Sequence, residues 1–145
     1  MTLPTGRARE LWARARLRVW PERYLLVSVA PDVAVDAAWF PPGGFGAAVR
    51  ERDELSLTVR QDLWQASPMP SQAHAVDGPY RVLSLDVDVD LGVTGFLAPL
   101  AVRLAEAGVS IVPQCAYLKD HLLVREAHLA VATAVIEGLI RDASA

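Results

Sequence analysis

Residues 81–107 constrain the fold of this chain more than any other stretch. Apolar and polar residues alternate over 81–89, which is the period of a β-strand with one buried face. Gly92 and Gly95 then bracket Thr94, whose hydroxyl suits the residue that caps the start of a helix. From Thr94 to about residue 107, apolar residues recur at helical spacing. The pattern predicts a strand, a tight turn and a helix that packs back on the strand.

The start of this predicted helix is a candidate anion site. The first N–H groups of a helix have no intrahelical acceptor, and the positive end of the helix dipole lies beside them. We expect these groups near Gly95, Phe96 and Leu97 to attract a carboxylate or a phosphate. A capped helix that binds nothing is the alternative, and the residues alone leave both interpretations open.

The rest of the second half completes a compact α+β pattern. A strand is predicted over 109–116, a tight turn over 117–119, a strand over 120–124 and a last helix over about 126–141. The predicted order is strand, helix, strand, strand, helix. A ferredoxin-like sandwich needs one more strand, and we expect the N-terminal segment around 17–20 to supply it.

The first half repeats this order more weakly. The sequence predicts a strand over 24–29, a short helical or irregular piece over 31–40, and a hairpin with strands over 45–50 and 55–59. Residues 1–10 are predicted as a loose tail, and the proline-containing stretch 61–79 as a connection. The predicted division is therefore an N-terminal segment 1–20, a reduced first module 21–65, a linker 66–79 and a second module 80–145.

Composition narrows the class of protein. Hydrophobic residues make up 52% of the 145 residues and charged residues 21%, which suits a folded core. The net charge is −3, and the arginines near the N-terminus accompany no nucleic-acid motif, so we expect no nucleic-acid partner. No apolar run reaches the ~18 residues of a membrane span, and no apolar segment follows the basic start as in a secretion signal. Because Cys115 is the single cysteine, we expect a reducing cytoplasm.

The motifs of the second half resemble an ACT domain. Three motifs show the resemblance: the helix beginning Thr94-Gly-Phe-Leu, the Ala107-Gly-Val-Ser-Ile111 entry to a strand, and the hairpin ending Asp120-His-Leu-Leu-Val124. Together with Asp53-Glu-Leu-Ser56 in the first half, they are similar to small bacterial tandem-ACT proteins of the CASTOR/ACT-like group. The resemblance implies two ferredoxin-like βαββαβ modules with antiparallel sheets and helices on one face.

The resemblance also implies a function and a site. ACT modules are mostly regulatory, bind small molecules that are usually amino acids, and pair through their sheets, so a homodimer is expected. Asp120 is expected to pair with a ligand's α-ammonium or cationic side chain, and Ser56 to add a hydroxyl from the first half. The expected ligand-binding residues are Ser56, Asp90, Gly92, Val93, Thr94, Gly95, Phe96, Tyr117 and Asp120. A dimerisation scaffold of the same fold that binds no ligand is the alternative.

Other chemistry has weaker support in the residues. Cys115 and His121 share a hairpin with Asp120, but a nucleophilic cysteine needs a base in reach and an oxyanion hole, and Cys115 lies in an apolar strand. The three histidines show no metal-ligand spacing, and the loop starting at Asp86 lacks the glycine and glutamate of a calcium loop. We expect no catalysis, no metal and no cofactor.

Overall fold

The computed structural model describes residues 3–145, which form two compact units. We call residues 3–20 and 82–145 the terminal unit, and residues 21–81 the central unit. In chain order the elements are α1 (Gly6–Arg14), β1 (Arg16–Val19), β2 (Tyr24–Val29), β3 (Ala47–Arg50), β4 (Leu55–Arg60), α2 (Gln61–Ala66), β5 (Ala75–Asp86), α3 (Ala98–Glu106), β6 (Ile111–Cys115), β7 (Asp120–Arg125) and α4 (Leu129–Ser144). Among the described residues, no helix is long and apolar enough to cross a membrane.

The terminal unit has three helices packed on strands. The last residues of β5 pair antiparallel with β1, from Arg16 opposite Asp86 to Val19 opposite Leu83. β7 lies between β5 and β6 in the strand order, and the β6–β7 hairpin is antiparallel. Alternate residues of β5 and β7 point to the helices because side chains of a strand alternate between faces. The core holds Leu83, Leu85, Leu122 and Val124 from these strands, and Leu11, Trp12, Leu100, Leu104, Ala132, Ile136 and Leu139 from the helices.

The central unit has its own core and strand order. β4 pairs antiparallel with both β3 and β2, and β2 pairs antiparallel with the first residues of β5. Leu55, Leu57 and Val59 of β4 are fully buried, as their alternation predicts. They pack with residues of β2 and with Trp39 and Trp64, whose ring centroids are 5.6 Å apart.

Several sequence-based boundaries are confirmed and several are wrong. The strand predicted over 24–29 is β2, and the predicted hairpin is β3 and β4. The loose tail predicted over 1–10 is wrong for its described part, because α1 begins at Gly6 and buries Ala8. The stretch predicted as a connection contains α2 and the first residues of β5, and the predicted linker 66–79 therefore overlaps a strand.

The helix predicted to begin at Thr94 begins at Ala98 instead. Leu97 is the N-cap residue, no side chain caps the helix, and a proline stands in its first turn. Proline suits that position because its fixed φ is helical and its missing N–H would have had no partner there. Thr94 lies exposed in the preceding loop. The N–H groups predicted to open the helix at residues 95–97 consequently belong to the loop.

Candidate functional site

A pocket of about 360 Å³ lies in the terminal unit, where the loop between β5 and α3 faces the turn of the β6–β7 hairpin. This volume is within the ~300–1,000 Å³ of ordinary small-molecule sites. The pocket is lined by Val89, Asp90, Leu91, Val93, Gly95, Phe96, Leu97, Ala98, Cys115, Ala116, Tyr117, Leu118, Lys119 and Asp120. Most of these side chains are apolar, and the charged ones are few.

Backbone hydrogen bonds hold the loop against the hairpin. The N–H of Val89 donates to the carbonyl of Leu118 over 2.7 Å, which ties the loop to the turn directly. The N–H of Val93 donates to the carbonyl of Asp90 over 3.0 Å and closes a turn within the loop. Gly95 has φ 75°, a left-handed conformation that glycine adopts without the steric cost of a Cβ atom. These contacts give the pocket a defined wall on its loop side.

A tryptophan from the N-terminal helix fixes the buried end of the loop. Trp12 of α1 is fully buried and its ring stacks on Phe96 with centroids 4.8 Å apart and planes 16° apart. The Trp12 indole Nε1 also donates a hydrogen bond to the Phe96 carbonyl over 2.7 Å. Phe96 is 4% exposed and lines the pocket. The pocket floor is therefore built on α1, which lies more than eighty residues away in the chain.

The hairpin supplies the half-buried carboxylate of the pocket, Asp120. The Cys115 thiol donates a hydrogen bond to Asp120 Oδ1 over 2.9 Å. This hydrogen bond, reinforced by burial, raises the pKa of Cys115 to about 11. The second pocket carboxylate, Asp90, stands exposed on the loop. Cys115 is thus a neutral thiol that orients the carboxylate of Asp120.

Lys119 is the cation of the pocket lining, and its charge is already paired. Its Nζ contacts the Asp88 carboxylate and lies 3.9 Å from Asp86 Oδ1. Asp86 also lies 3.4 Å from the guanidinium of Arg18 on β1. With Lys119 committed to these carboxylates, Asp90 and Asp120 give the pocket a negative character.

The structure brings most of the sequence-predicted site residues together. Six of them line the pocket, namely Asp90, Val93, Gly95, Phe96, Tyr117 and Asp120. Gly92 and Thr94 belong to the same loop but are not among the lining residues. Ser56 lies on β4 in the central unit, opposite Ser28 and Val49 in the strand ladders, and is not among the lining residues either.

Trp12, Cys115 and Lys119 were not predicted as members of this site. The sequence shows Lys119 beside Asp120, but pairing with Asp88 depends on how the loop meets the hairpin. In the sequence, Trp12 stands out only as one of four tryptophans in the first 64 residues, which we expect to cover one side of the first module or a subunit interface. In the structure Trp12 belongs to the core of the terminal unit and does not cover the first module.

A polar chain runs across the strands next to Asp120. His121 Nδ1 lies 2.5 Å from the hydroxyl oxygen of Ser84 on β5, and this oxygen accepts a hydrogen bond from the Trp20 indole over 2.7 Å. Burial lowers the pKa of His121, the nearby charges of Lys119 and Arg18 lower it further, and Asp120 opposes them. Successive residues of a strand face opposite sides, so His121 points away from the face of Asp120. Among residues 3–145, no cluster of three or more His, Cys, Asp or Glu side chains could hold a metal ion.

Comparison with known proteins finds likeness in structure. No family model matches the sequence, and no curated protein sequence matches it. A protein of Agrobacterium tumefaciens superposes with a TM-score of 0.71 at 24% identity, covering 88% of this chain and 90% of its own. A Vibrio cholerae protein described as a possible transport protein gives 0.71 at 20% identity, covering 91% and 94%.

Regulatory proteins are among the structural neighbours as well. The ligand-free regulatory subunit of aspartate kinase from Thermus thermophilus superposes with a TM-score of 0.59 at 14% identity, covering 86% of this chain and 97% of its own. At these identities the likeness concerns the fold. The α+β arrangement of strands and helices in this chain is therefore an ACT-like fold.

Proposed function

We propose that the pocket of the terminal unit binds a free α-amino acid and that the protein is a regulatory module with no chemistry of its own. The observation that carries the proposal is the pocket itself. It combines a half-buried carboxylate, Asp120, with the start of a helix and an apolar lining, in a volume of about 360 Å³. An α-amino acid offers a cation, an anion and a side chain to these three features.

The ligand carboxylate has its partners at the start of α3. The first N–H groups of a helix carry partial positive charge and lack intrahelical acceptors. Pro99 has no N–H, so in the first turn of α3 the donors are the N–H groups of Ala98 and Leu100. The N–H of Ala101 already donates to the carbonyl of Leu97 over 2.9 Å. We place the carboxylate beside Ala98, which lines the pocket.

The ligand ammonium has its partner across the pocket. Asp120 Oδ1 is engaged by the Cys115 thiol, which orients the carboxylate and leaves Oδ2 to accept from the ammonium. A hydrogen bond between two charged groups is stronger than one between neutral groups. Asp90 adds negative charge from the loop side, and Lys119 does not compete because its charge is paired with Asp88.

Two observations support binding without catalysis. The Cys115 thiol lines the pocket, and its pKa of about 11 leaves little thiolate at neutral pH. The structural neighbours include regulatory subunits of aspartate kinase, whose descriptions name a regulatory role. We infer a regulatory role for this chain from that likeness and from the pocket chemistry.

We also propose two ferredoxin-like modules in tandem, as in the CASTOR/ACT-like group of bacterial proteins, acting as a homodimer in the cytoplasm. The strand order β1-β5-β7-β6 in the terminal unit supports the ferredoxin-like module. In the central unit β2, a single helical turn and the β3–β4 hairpin follow the same sequence of elements, although that first helix is reduced to residues Ala37–Trp39.

A scaffold that dimerises without a ligand is the second candidate. An apolar hollow of about 210 Å³ lies between α3 and the β6–β7 hairpin. The hollow is lined by Leu97, Ala98, Leu100, Ala101, Ile111, Pro113 and Leu122. Light scattering at micromolar concentration tests the dimer, and a monomeric mass would contradict it.

A thermal-shift screen against the twenty amino acids tests the binding proposal. A ligand at 100 times its dissociation constant adds ~2.7 kcal/mol to the stability of the folded state. We expect at least one amino acid to raise Tm in the wild type and not in Asp120→Asn. The matched control is Asp53→Asn, which removes the same charge from an exposed position of the central unit. No shift with any amino acid at millimolar concentration would favour the scaffold.

A further inference from the structure

The N-terminal helix α1 holds the loop that forms the pocket wall. Ala8, Leu11 and Trp12 bury one side of α1. The C-terminal end of α4 also holds the helix, because Arg9 donates to the backbone carbonyls of Ala143 and Ala145 over 3.2 and 2.7 Å. α1 is therefore docked as a packed element, and its position fixes where the Trp12 ring stands.

The contact between Trp12 and Phe96 is specific in two ways. The stacked rings give apolar contact over a wide area, and aromatic pairs add ~0.5–1.5 kcal/mol beyond burial. The indole N–H selects a single acceptor, the carbonyl of Phe96, over 2.7 Å. Phe96 is followed at once by Leu97, the N-cap residue of α3. A shift of the Phe96 backbone would move both the pocket floor and the start of α3.

We propose that Trp12 is a positioning residue for the ligand pocket, so that docking of α1 and occupancy of the pocket favour one another. The inference rests on the proposed function, because it concerns regulation of the same site. Trp12 does not line the pocket and acts through Phe96. Coupling of this kind is reciprocal: if docked α1 strengthens ligand binding, bound ligand strengthens the docking of α1 by the same factor. α1 is then the element through which occupancy is transmitted.

The variant Trp12→Phe separates positioning from packing. It keeps an aromatic ring for the stack on Phe96 and deletes the N–H that binds the carbonyl. The matched control is Trp39→Phe in the central unit. Trp39 is 2% exposed and its ring contacts that of Trp64 in a tilted arrangement, with planes 56° apart, but its indole N–H has no hydrogen-bond acceptor among the described residues. Both variants shrink a buried tryptophan, and Trp12→Phe alone removes a hydrogen bond.

Two measurements are made on each variant and on the wild type. Isothermal titration calorimetry with the amino acid that gives the largest Tm shift measures affinity. We expect Trp12→Phe to bind at least about fivefold more weakly, the lower end of usual coupling between sites, and Trp39→Phe to bind as the wild type does. Hydrogen exchange without ligand is expected to quicken for amides of residues 91–98 in Trp12→Phe and to stay unchanged there in Trp39→Phe.

The outcomes distinguish failure of this inference from failure of the proposed function on which it rests. Unchanged affinity in Trp12→Phe would overturn the inference and leave the proposed function standing. A wild type that binds no amino acid would overturn the proposed function, and exchange at 91–98 would then decide alone whether Trp12 positions the loop. If Trp12→Phe does not fold, the wild type decides: hydrogen exchange at residues 8–14 of α1 should slow when an amino acid fills the pocket, and unchanged exchange there with bound amino acid would overturn the inference.

Discussion

Replacing Ser84 with alanine tests the polar chain that crosses the terminal unit. The Ser84 side chain is buried, with 3% of the residue exposed. Its hydroxyl oxygen accepts from the Trp20 indole over 2.7 Å and lies 2.5 Å from His121 Nδ1. Alanine removes both hydrogen bonds and leaves the strand pairing of β5 with β1 in place, because that pairing uses backbone groups.

The expected cost follows from these two bonds. A hydrogen bond within a protein contributes ~0.5–1.5 kcal/mol to stability, so Ser84→Ala should lower the free energy of unfolding by ~1–3 kcal/mol. For a chain of 145 residues each kcal/mol corresponds to ~2–4 °C in Tm. Urea unfolding followed by tryptophan fluorescence measures the loss. The control Ser28→Ala makes the same change of side chain and removes one half-buried hydrogen bond, to the Glu54 carboxylate over 3.1 Å, while the Trp20–Ser84–His121 contacts stay intact.

A loss below about 0.5 kcal/mol in Ser84→Ala would refute the reasoning. A changed m-value would mean that the substitution altered the unfolded ensemble or broke two-state behaviour, and Tm would then be compared alone.

Three further predictions concern single residues. Cys115 should react slowly with iodoacetamide at pH 7.5, because the pKa of its thiol is about 11. Asp120→Asn should speed the reaction, because the hydrogen bond to Asp120 is the main cause of the raised pKa. Equal reaction rates in the variant and the wild type would contradict the Cys115–Asp120 contact. Since the pKa of His121 is lower in the folded chain than the ordinary 6.5, the unfolded chain takes up protons first as the pH falls. The free energy of unfolding of the wild type should therefore decline as the pH falls below about 6.5, and that of His121→Asn should decline less. Urea unfolding from pH 5 to 8 measures both. Gly46→Ala would place a Cβ atom 2.3 Å from Phe40 Cδ1, so crowding should cost ~1–3 kcal/mol, and unchanged stability would show that the Phe40 ring moves aside freely.

The parts of the fold that the sequence predicts well are those where local pattern and burial agree. β2 is rich in strand-forming residues and β4 has apolar residues at alternate positions, and in the structure both strands bury most of these residues, so local sequence alone locates them. The start of α3 shows the limit of such signals. Thr94 and Pro99 both mark helix starts, and the helix begins where proline stands in its first turn, four residues after Thr94.

Segments with conflicting local signals were missed. β5 extends through Gly78 and Pro79, residues that normally interrupt strands, and its pairing with β2 outweighs that preference. Residues 1–10, with their arginines, were predicted as a loose tail, yet α1 begins at Gly6, and one side of it buries Leu11 and Trp12 against the rest of the terminal unit. Tertiary packing determines whether such segments form strands or helices, and a pattern over a few residues does not predict that packing.

The candidate site, like the fold, has a part that the sequence predicts and a part that only the tertiary structure shows. Six lining residues were predicted because the loop and the hairpin turn carry their own motifs in sequence. The contact of Trp12 with Phe96 joins residues 84 positions apart, and no local pattern in the sequence predicts it. The pairing of Lys119 with Asp88 is likewise set by where the loop meets the hairpin.

A titration of ¹⁵N-labelled protein with amino acids tests the central claim most directly, because it reports binding and its location together. The account predicts that one or more amino acids shift amide resonances mainly at residues 89–98 and 115–120, which surround the pocket. It also predicts that Asp120→Asn loses these shifts. Resonances that stay unmoved at millimolar concentration, or shifts confined to residues 21–81, would contradict it.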